Sequence, residues 1–477
     1  MKRTLLTISL LTITLIPSAE AKAESLTLTL DKAIETALLH NQQKKISALD
    51  IRIAEEQYKQ AMSANFPSVD LNMAYIKRDE DLINITKGEF ALSQDLSNAL
   101  ALISAPDAQK PQVQQMIQNN MLPPVNVPLN FTSVVMGDET THTSVKVTYP
   151  LYSGGKISAL QKEAKLGKEI AAQKDKRTKE EIVFSIKKYF YASILTQNIS
   201  ELMHETSERM TLLDELTEEM YKNGSKKVKK TDYYKTQLAS AMFKAMDEEY
   251  KTKARLAKSA LLFAMGLSPE EEVALKEPSF NSVKLPALPT LLQNAYLHNK
   301  QLTTLHKALE LYHTKIDEAR SGYKPNIALF GTVEHTDNNY DGGMSNDQND
   351  NAWTLGVGAS WNLFNGFRTT AEIEKAKLEL LRLKEKESQL KQAIVLQTKQ
   401  GYLSALNNNI QSDILSKAVA TAEKNRDLNT RAYQADMVET KDVVEAQIHE
   451  AQIKAKYFKT LHDKMIAYAT VDLVTGR

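Results

Sequence analysis

The sequence predicts a mainly α chain that also carries transmembrane β-strands and is built as two structural repeats. Three observations predict it. Residues from Leu30 to about Leu71 align without a gap on Leu288–Leu329 at a constant offset. Proline is absent from two long windows, between Pro150 and Pro269 and after Pro325. Four segments break the helical grammar and alternate with a period of two.

Met1 to Ala21 reads as a secretory leader. Lys2 and Arg3 form the charged region, Thr4–Ile16 an apolar run, and Ala19-Glu20-Ala21 a cleavage site. Ala21-Lys22-Ala23 offers a second register, so cleavage follows Ala21 or Ala23. No cysteine stands near to receive a lipid, so the mature chain is expected to be exported and unlipidated.

The first repeat spans 24–275. It opens with a helix in which Ala37, Leu39, His40, Asn41 and Gln43 foreshadow Ala295, Leu297, His298, Asn299 and Gln301. A strand near 66–79 sets Val69, Leu71, Met73 and Tyr75 against Asp70, Asn72 and Ala74. An insertion over 80–139 follows, with a short helix near Gln109–Asn119 and a break at Pro123-Pro124. The next strand, near 141–153, alternates Val145, Val147, Tyr149 and Leu151 with Lys146 and Thr148. Leu151-Tyr152-Ser153-Gly154-Gly155-Lys156 then opens a long helical hairpin, 156–265. Proline costs about 3 kcal/mol inside a helix, so its absence leaves this window free to be helical. Seven-residue spacings such as Leu195/Leu202 and Met203/Met210 give it a coiled-coil signature. A helix from about Lys156 to Tyr221 would be on the order of 100 Å long.

The second repeat, 285–477, restates this plan. Its first strand, near 325–337, carries Ile327, Leu329 and Val333 on one face. The acidic, glycine-rich stretch Asp341–Asn351 lacks the terminal bidentate carboxylate of a calcium loop and reads as a mobile extracellular loop. The strand near 351–364 is the clearest: Trp353, Leu355, Val357, Ala359, Trp361 and Leu363 alternate with Thr354, Gly356, Gly358, Ser360 and Asn362. Its two tryptophans share a face and mark either the aromatic girdles of a membrane barrel or the core of a sandwich. Leu363-Phe364-Asn365-Gly366-Phe367-Arg368 opens the second hairpin, 368–474, where Ala376, Leu383, Leu390, then Leu396, Leu403 and Ile410 keep the heptad.

Strands with an apolar face and a small or polar one are the pattern of a transmembrane barrel with a wet lumen. Four strands are too few to close one, because the known minimum is about eight. Several chains must therefore pool their strands, and the long helices must close beside each other into a tube.

Other classes are poorly supported. With no cysteine, disulfides, a thiol nucleophile and thiolate metal sites are excluded. The formal charge is +1, which gives no electrostatic case for nucleic acid. His306 and His313 punctuate a helix face rather than bind zinc, and no nucleophile elbow, zinc-protease or phosphate-loop motif occurs, so no enzyme and no cofactor are expected.

The two-fold repeat, the LYSGGK and LFNGFR elements and the long coiled-coil hairpins together resemble the TolC-type outer-membrane efflux and secretion channels, the outer membrane efflux protein family. The resemblance covers the mature chain apart from 80–139. It implies a homotrimer in which four strands per chain make a 12-stranded β-barrel in the outer membrane, continued by a 12-helix periplasmic α-barrel. It also implies a passive exit duct for a tripartite efflux pump or type I secretion system. The partners would be outer-membrane lipid, a periplasmic adaptor (membrane fusion) protein and an inner-membrane transporter of RND or ABC type.

By the same resemblance the hairpin tips form the periplasmic aperture. Tyr433 matches an iris tyrosine, Asp442 and Glu445 the narrowest ring, and Asp232 the acidic partner that closes the gate. A ring of carboxylates favours cations; the alternative is that Asp442 and Glu445 are solvated charges at a helix start. Gly224 matches the turn glycine, and Ser225, Lys227, Lys230, Asp436 and Lys441 are further gate or adaptor contacts. Three departures stand out. Val438 replaces the usual gate arginine, so that link is either lost or taken over by Lys441. Asp436 replaces a glycine, and the first tip is two residues longer and strongly basic. Its lysines either hold the mouth shut against Asp442 and Glu445 or form a solvated loop. The competing reading for the whole chain is a periplasmic coiled-coil adaptor or scaffold that never enters the membrane.

Overall fold

A computed structural model of the chain describes residues 27–225, 227–280, 284–339, 350–435 and 437–476. The expected leader and most of the Asp341–Asn351 loop lie outside the described residues. In chain order the elements are β1 (Thr27–Leu28), α1 (Leu30–His40), α2 (Gln42–Ser63), β2 (Ser68–Lys77), β3 (Leu82–Ala91), α3 (Gln94–Ser104), α4 (Lys110–Gln118), β4 (Asn126–Met136) and β5 (Glu139–Tyr152). There follow α5 (Lys156–Lys222), α6 (Lys230–Met265), β6 (Ala274–Leu275), α7 (Leu288–His298), α8 (Lys300–Ser321), β7 (Asn326–Asn339), β8 (Asn351–Ser360), α9 (Arg368–Gln434) and α10 (Thr440–Thr475). Among the described residues no helix is long and apolar enough to cross a membrane.

The repeat is written in the helix lengths. α1 and α7 each have 11 residues, α2 and α8 have 22, α5 and α9 have 67, and α6 and α10 have 36. The chain gathers into two compact units. One holds the described chain up to Tyr58, Ala164–His313 and Leu378 onward; the other holds Lys59–Glu163 and Thr314–Lys377.

In the helical unit, α1 lays Ala33 and Ala37 on a core of Ile186, Phe190, Leu261 and Met265 from α5 and α6. The second repeat does the same with Ala295 and Leu302 against Ile394 and Val474. Each opening helix of the sequence reading is in fact two helices, parted at Asn41 and at Asn299. The break has a tertiary cause. Asn41 Nδ2 donates to the Ala264 carbonyl near the end of α6, while its Oδ1 accepts from the Gln43 N–H at the start of α2 (2.8 Å). Asn299 does the same between Val474 (3.2 Å) and Leu302 (3.1 Å). Each long returning helix ends in a left-handed glycine, Gly266 or Gly476, lying against the carbonyl of His40 or His298. A Cβ there would stand 2.5 Å and 2.7 Å from those oxygens, so only glycine fits.

In the other unit β2, β5, β7 and β8 form a four-stranded antiparallel sheet in that order, with β2 and β8 as open edges. The register aligns the apolar sets across all four strands. Leu71 opposes Val145, which opposes Val333, which opposes Trp353. Val69, Met73, Tyr75, Leu355 and Val357 lie on the same face, and all are exposed. The other face carries Asp70 opposite Lys146, then Thr332 and Thr354. β8 stops at Ser360, four residues before the expected end, because the residue facing Trp361 across the ladder is Pro325, which has no N–H to donate. β5 accommodates Pro150 at a register shift between Pro150 and Tyr152.

The insertion is more structured than its sequence suggested. The expected helix is present as α4, but α3 and the β3–β4 hairpin were not foreseen.

Candidate functional site

The hairpin tips are built by capping chemistry. α5 ends in a turn in which the Ser225 N–H donates to the Met220 carbonyl (3.0 Å), with Gly224 at φ +74°. α9 ends alike, the Met437 N–H donating to the Ala432 carbonyl (2.8 Å). Asp436, the expected counterpart of Gly224, lies outside the described residues.

The returning helices start on matched acids. Asp232 Oδ2 accepts from the Lys229 N–H, and Asp442 Oδ2 from the Glu439 N–H, both at 3.1 Å. Each carboxylate thus satisfies a backbone donor the helix leaves open and sits at the positive end of its dipole. The two acids expected at the gate therefore have a structural task within their own tips. Glu445, one turn further along α10, is exposed.

Tyr433 joins the two hairpins. Its hydroxyl accepts from Thr440 Oγ1 (3.2 Å) and lies 4.0 Å from the Met220 sulfur on α5. Its equivalent in the first tip, Tyr221, stacks on Tyr233 with ring centroids 5.7 Å apart. The Tyr233 hydroxyl in turn donates to Glu218 (3.3 Å), which pairs with Lys222 (2.8 Å). Val438, the residue expected in place of a gate arginine, packs with Tyr433 against a cluster that includes Met210, Leu213, Phe243 and Val443. Lys441 pairs within its own tip, with Glu439 at 3.3 Å. Glu439 first, then Asp442 and Glu445, hold its ammonium above the ordinary lysine value. Lys227 and Lys230 are exposed, Lys230 lying 5.6 Å above the Tyr234 ring.

The sequence reading missed a buried ionic cluster further up these helices. Glu450 on α10 is 0% exposed and faces three cations: Arg209 on α5 (3.4 Å), Arg426 on α9 (3.2 Å) and Lys454 on its own helix (2.8 Å). Arg209 also donates to Gln447 (2.9 Å) and Thr206 (3.1 Å), and Lys454 reaches Glu423 on α9 (2.7 Å). Burial works against the Lys454 charge, but the bonds to Glu423 and Glu450 outweigh it and raise its pKa. The only signal in the sequence was local: Glu450 and Lys454 stand four residues apart, Glu423 and Arg426 three. Nothing there says that the two pairs face each other.

Two exposed features belong to the same account. On α9 the heptad residues Leu396, Leu403 and Ile410 are 68%, 59% and 62% exposed. Trp353 and Trp361 are 74% and 61% exposed, so neither belongs to a core, and the Trp361 indole donates to the Tyr323 carbonyl (3.0 Å).

Residues 291–477 match the family model described as outer membrane efflux protein. Solved structures share the fold at low identity. VceC, an outer membrane protein of Vibrio cholerae, superposes with a TM-score of 0.68 at 16% identity, covering 94% of this chain and 96% of its own. The CmeC outer membrane channel of Campylobacter jejuni gives 0.72 at 12%, covering 99% and 93%. The open state of the MtrE outer membrane channel of Neisseria gonorrhoeae gives 0.67 at 14%, covering 94% and 88%. No curated protein matches in sequence. The TolC-type resemblance read from the repeat, the glycine turns and the long hairpins is borne out.

Proposed function

We propose that this chain, an outer membrane efflux protein by the family match of its second repeat and by its fold, is the passive exit channel of a tripartite export system, assembled as a homotrimer and gated at its hairpin tips. The observation that carries the reading is the four-stranded sheet. Along most of its length one face carries exposed apolar side chains, among them Val69, Leu71, Met73, Tyr75, Val333, Trp353, Leu355 and Val357, the other carries mainly small and polar ones, and both edges are open. A continuous apolar face of this kind is unfavourable in water and suited to lipid, and open edges demand strands from other copies. The exposed Leu396–Leu403–Ile410 stripe asks for a second copy in the same way.

The repeat supports the assembly. Two equal hairpins per chain let three chains present six near-equivalent positions around one axis. The tips then ring an aperture, with Asp442 and Glu445 supplying its negative lining and Tyr433 the contact that joins neighbouring hairpins. A periplasmic adaptor docking at Gly224 and Ser225 would compete with that contact. An inner-membrane transporter would supply the energy.

The test is fractionation of the natural host, followed by size and conductance of the purified protein. A trimer from the outer membrane that opens steps of conductance in a planar bilayer supports the reading. A chain recovered from the soluble periplasm, with no conductance, overturns it and leaves the adaptor or scaffold.

A further inference from the structure

The insertion leaves the sheet between β5 and β2, and β2 is one of the open edges. Its base is pinned: the Arg78 N–H donates to the Asp138 carbonyl, and the Asp138 N–H to Asp81 Oδ1, each at 2.7 Å. The β3–β4 hairpin then carries α3 and α4. Ser97, 2% exposed, fastens α3 to the end of that hairpin by donating to the Leu92 carbonyl (3.3 Å) and accepting from the Val125 N–H (3.0 Å). Gln94 adds a bond to the Leu122 carbonyl (2.8 Å). These bonds fix which side of α3 turns outward.

The outward side is apolar. Leu96, Leu100 and Ile103 are 56%, 46% and 78% exposed, and their spacing of four then three is the seam of a coiled coil. The helix carries one charge, Asp95, and no lysine or arginine. An anionic lipid surface recruits helices flanked by cations, so α3 is poorly made for that role. A seam without charges is well made for self-contact about a symmetry axis, where any charge would meet its own copies.

We infer that α3 packs against α3 of the other two copies, so that Leu96, Leu100 and Ile103 form a short three-helix seam joining the insertions outside the barrel. The inference rests on the trimeric channel reading, which brings three insertions to one mouth from the three β2 edges. Helices laid along a three-fold axis all run in the same sense, as such a seam requires.

The absence of native cysteine makes the test direct. Ile103→Cys and, on the exposed side of α4, Gln112→Cys are placed singly in the full-length chain. Outer membranes are treated with a short bis-maleimide and run on a denaturing gel, and the uncrosslinked protein is sized in mild detergent. Covalent dimers from Ile103→Cys, at least tenfold above those from Gln112→Cys, with a trimeric native mass, are the expected result. A trimer with no excess crosslinking at Ile103 overturns this inference and leaves the channel reading intact. A native monomer overturns the channel reading itself. A fluorophore on Ile103→Cys that is quenched by brominated lipid, without crosslinking, would put α3 on the membrane and overturn the seam.

Discussion

The side-chain amide of Asn41 donates to the Ala264 carbonyl at 2.6 Å, joining the start of α2 to the end of α6. Asn299 and Val474 repeat the join between α8 and α10 at 3.2 Å. At each join the negative end of one helix dipole meets the positive end of the next, and one asparagine satisfies a backbone group on both sides. Asn41→Ala is expected to lower stability by about 1–2 kcal/mol, because a part-buried carbonyl loses its donor and an N–H its acceptor. Gly266→Ala should cost more, since its Cβ would stand 2.5 Å from the His40 oxygen. Thermal melts of the detergent-solubilised protein rank the two; an Asn41→Ala protein that melts like the wild type would refute the join.

Glu450 is the most committed charge in the helical unit. Replacing it with Gln leaves Arg209, Arg426 and Lys454 facing one another without their anion. A loss of about 3–5 kcal/mol is expected, the usual cost of breaking a buried pair from one side. The drop should be visible as a lower denaturant midpoint and faster proteolysis near the tips.

Glu163 on α5 gives the fold a pH dependence. Burial, then the neighbouring carboxylate of Glu318, push its carboxyl up from 4.5 to about 7. Between those two values the folded chain binds more protons than the unfolded one, so this site's contribution falls as pH rises from about 4.5 to about 7. Glu163→Gln should therefore melt higher than the wild type at pH 8 and converge with it at pH 4. A parallel pair of melting curves at all pH values would show that Glu163 titrates normally.

Asp442→Asn with Glu445→Gln separates cap from charge. Asn keeps an oxygen that can accept the Glu439 N–H, so the start of α10 should survive while the ring loses its negative charge. The cation-over-anion permeability ratio is expected to fall several-fold, read as the reversal potential across a KCl gradient. An unchanged ratio would leave Asp442 with its capping task alone.

Lys227→Glu with Lys230→Glu removes the net positive charge of the first tip, taking residues 221–232 from +4 to 0. If these lysines hold the mouth shut against Asp442 and Glu445, the variant should leak more current at rest. Wild-type leak should rise with salt as the attraction is screened. A resting current that responds neither to the variant nor to KCl would reduce the tip to a solvated loop.

What the sequence determined by itself was everything that repeats locally. Period two set the faces of β2, β5, β7 and β8, and the register later aligned Leu71, Val145, Val333 and Trp353 as those faces require. The proline-free windows left the two hairpins, read as 156–265 and 368–474, free to be helical, because nothing inside them penalises a helix, and α5, α6, α9 and α10 run along them. Asp232 and Asp442 came from the sequence only as gate residues implied by the family resemblance; neither their equivalence nor the backbone N–H each accepts was read from it. Tertiary structure alone decided the rest. Asn41 and Asn299 break helices only because another helix ends against them. Glu450 becomes a buried anion only when α5 and α9 bring arginines to α10, an encounter between segments about 240 residues apart in the case of Arg209. The insertion folded where no periodicity announced it, because Ser97 and Gln94 bind carbonyls across a hairpin that had first to form. Side-chain periodicity is a property of one segment and can be read from it. A bond between distant segments depends on the packing of both, and no single stretch of the chain encodes it.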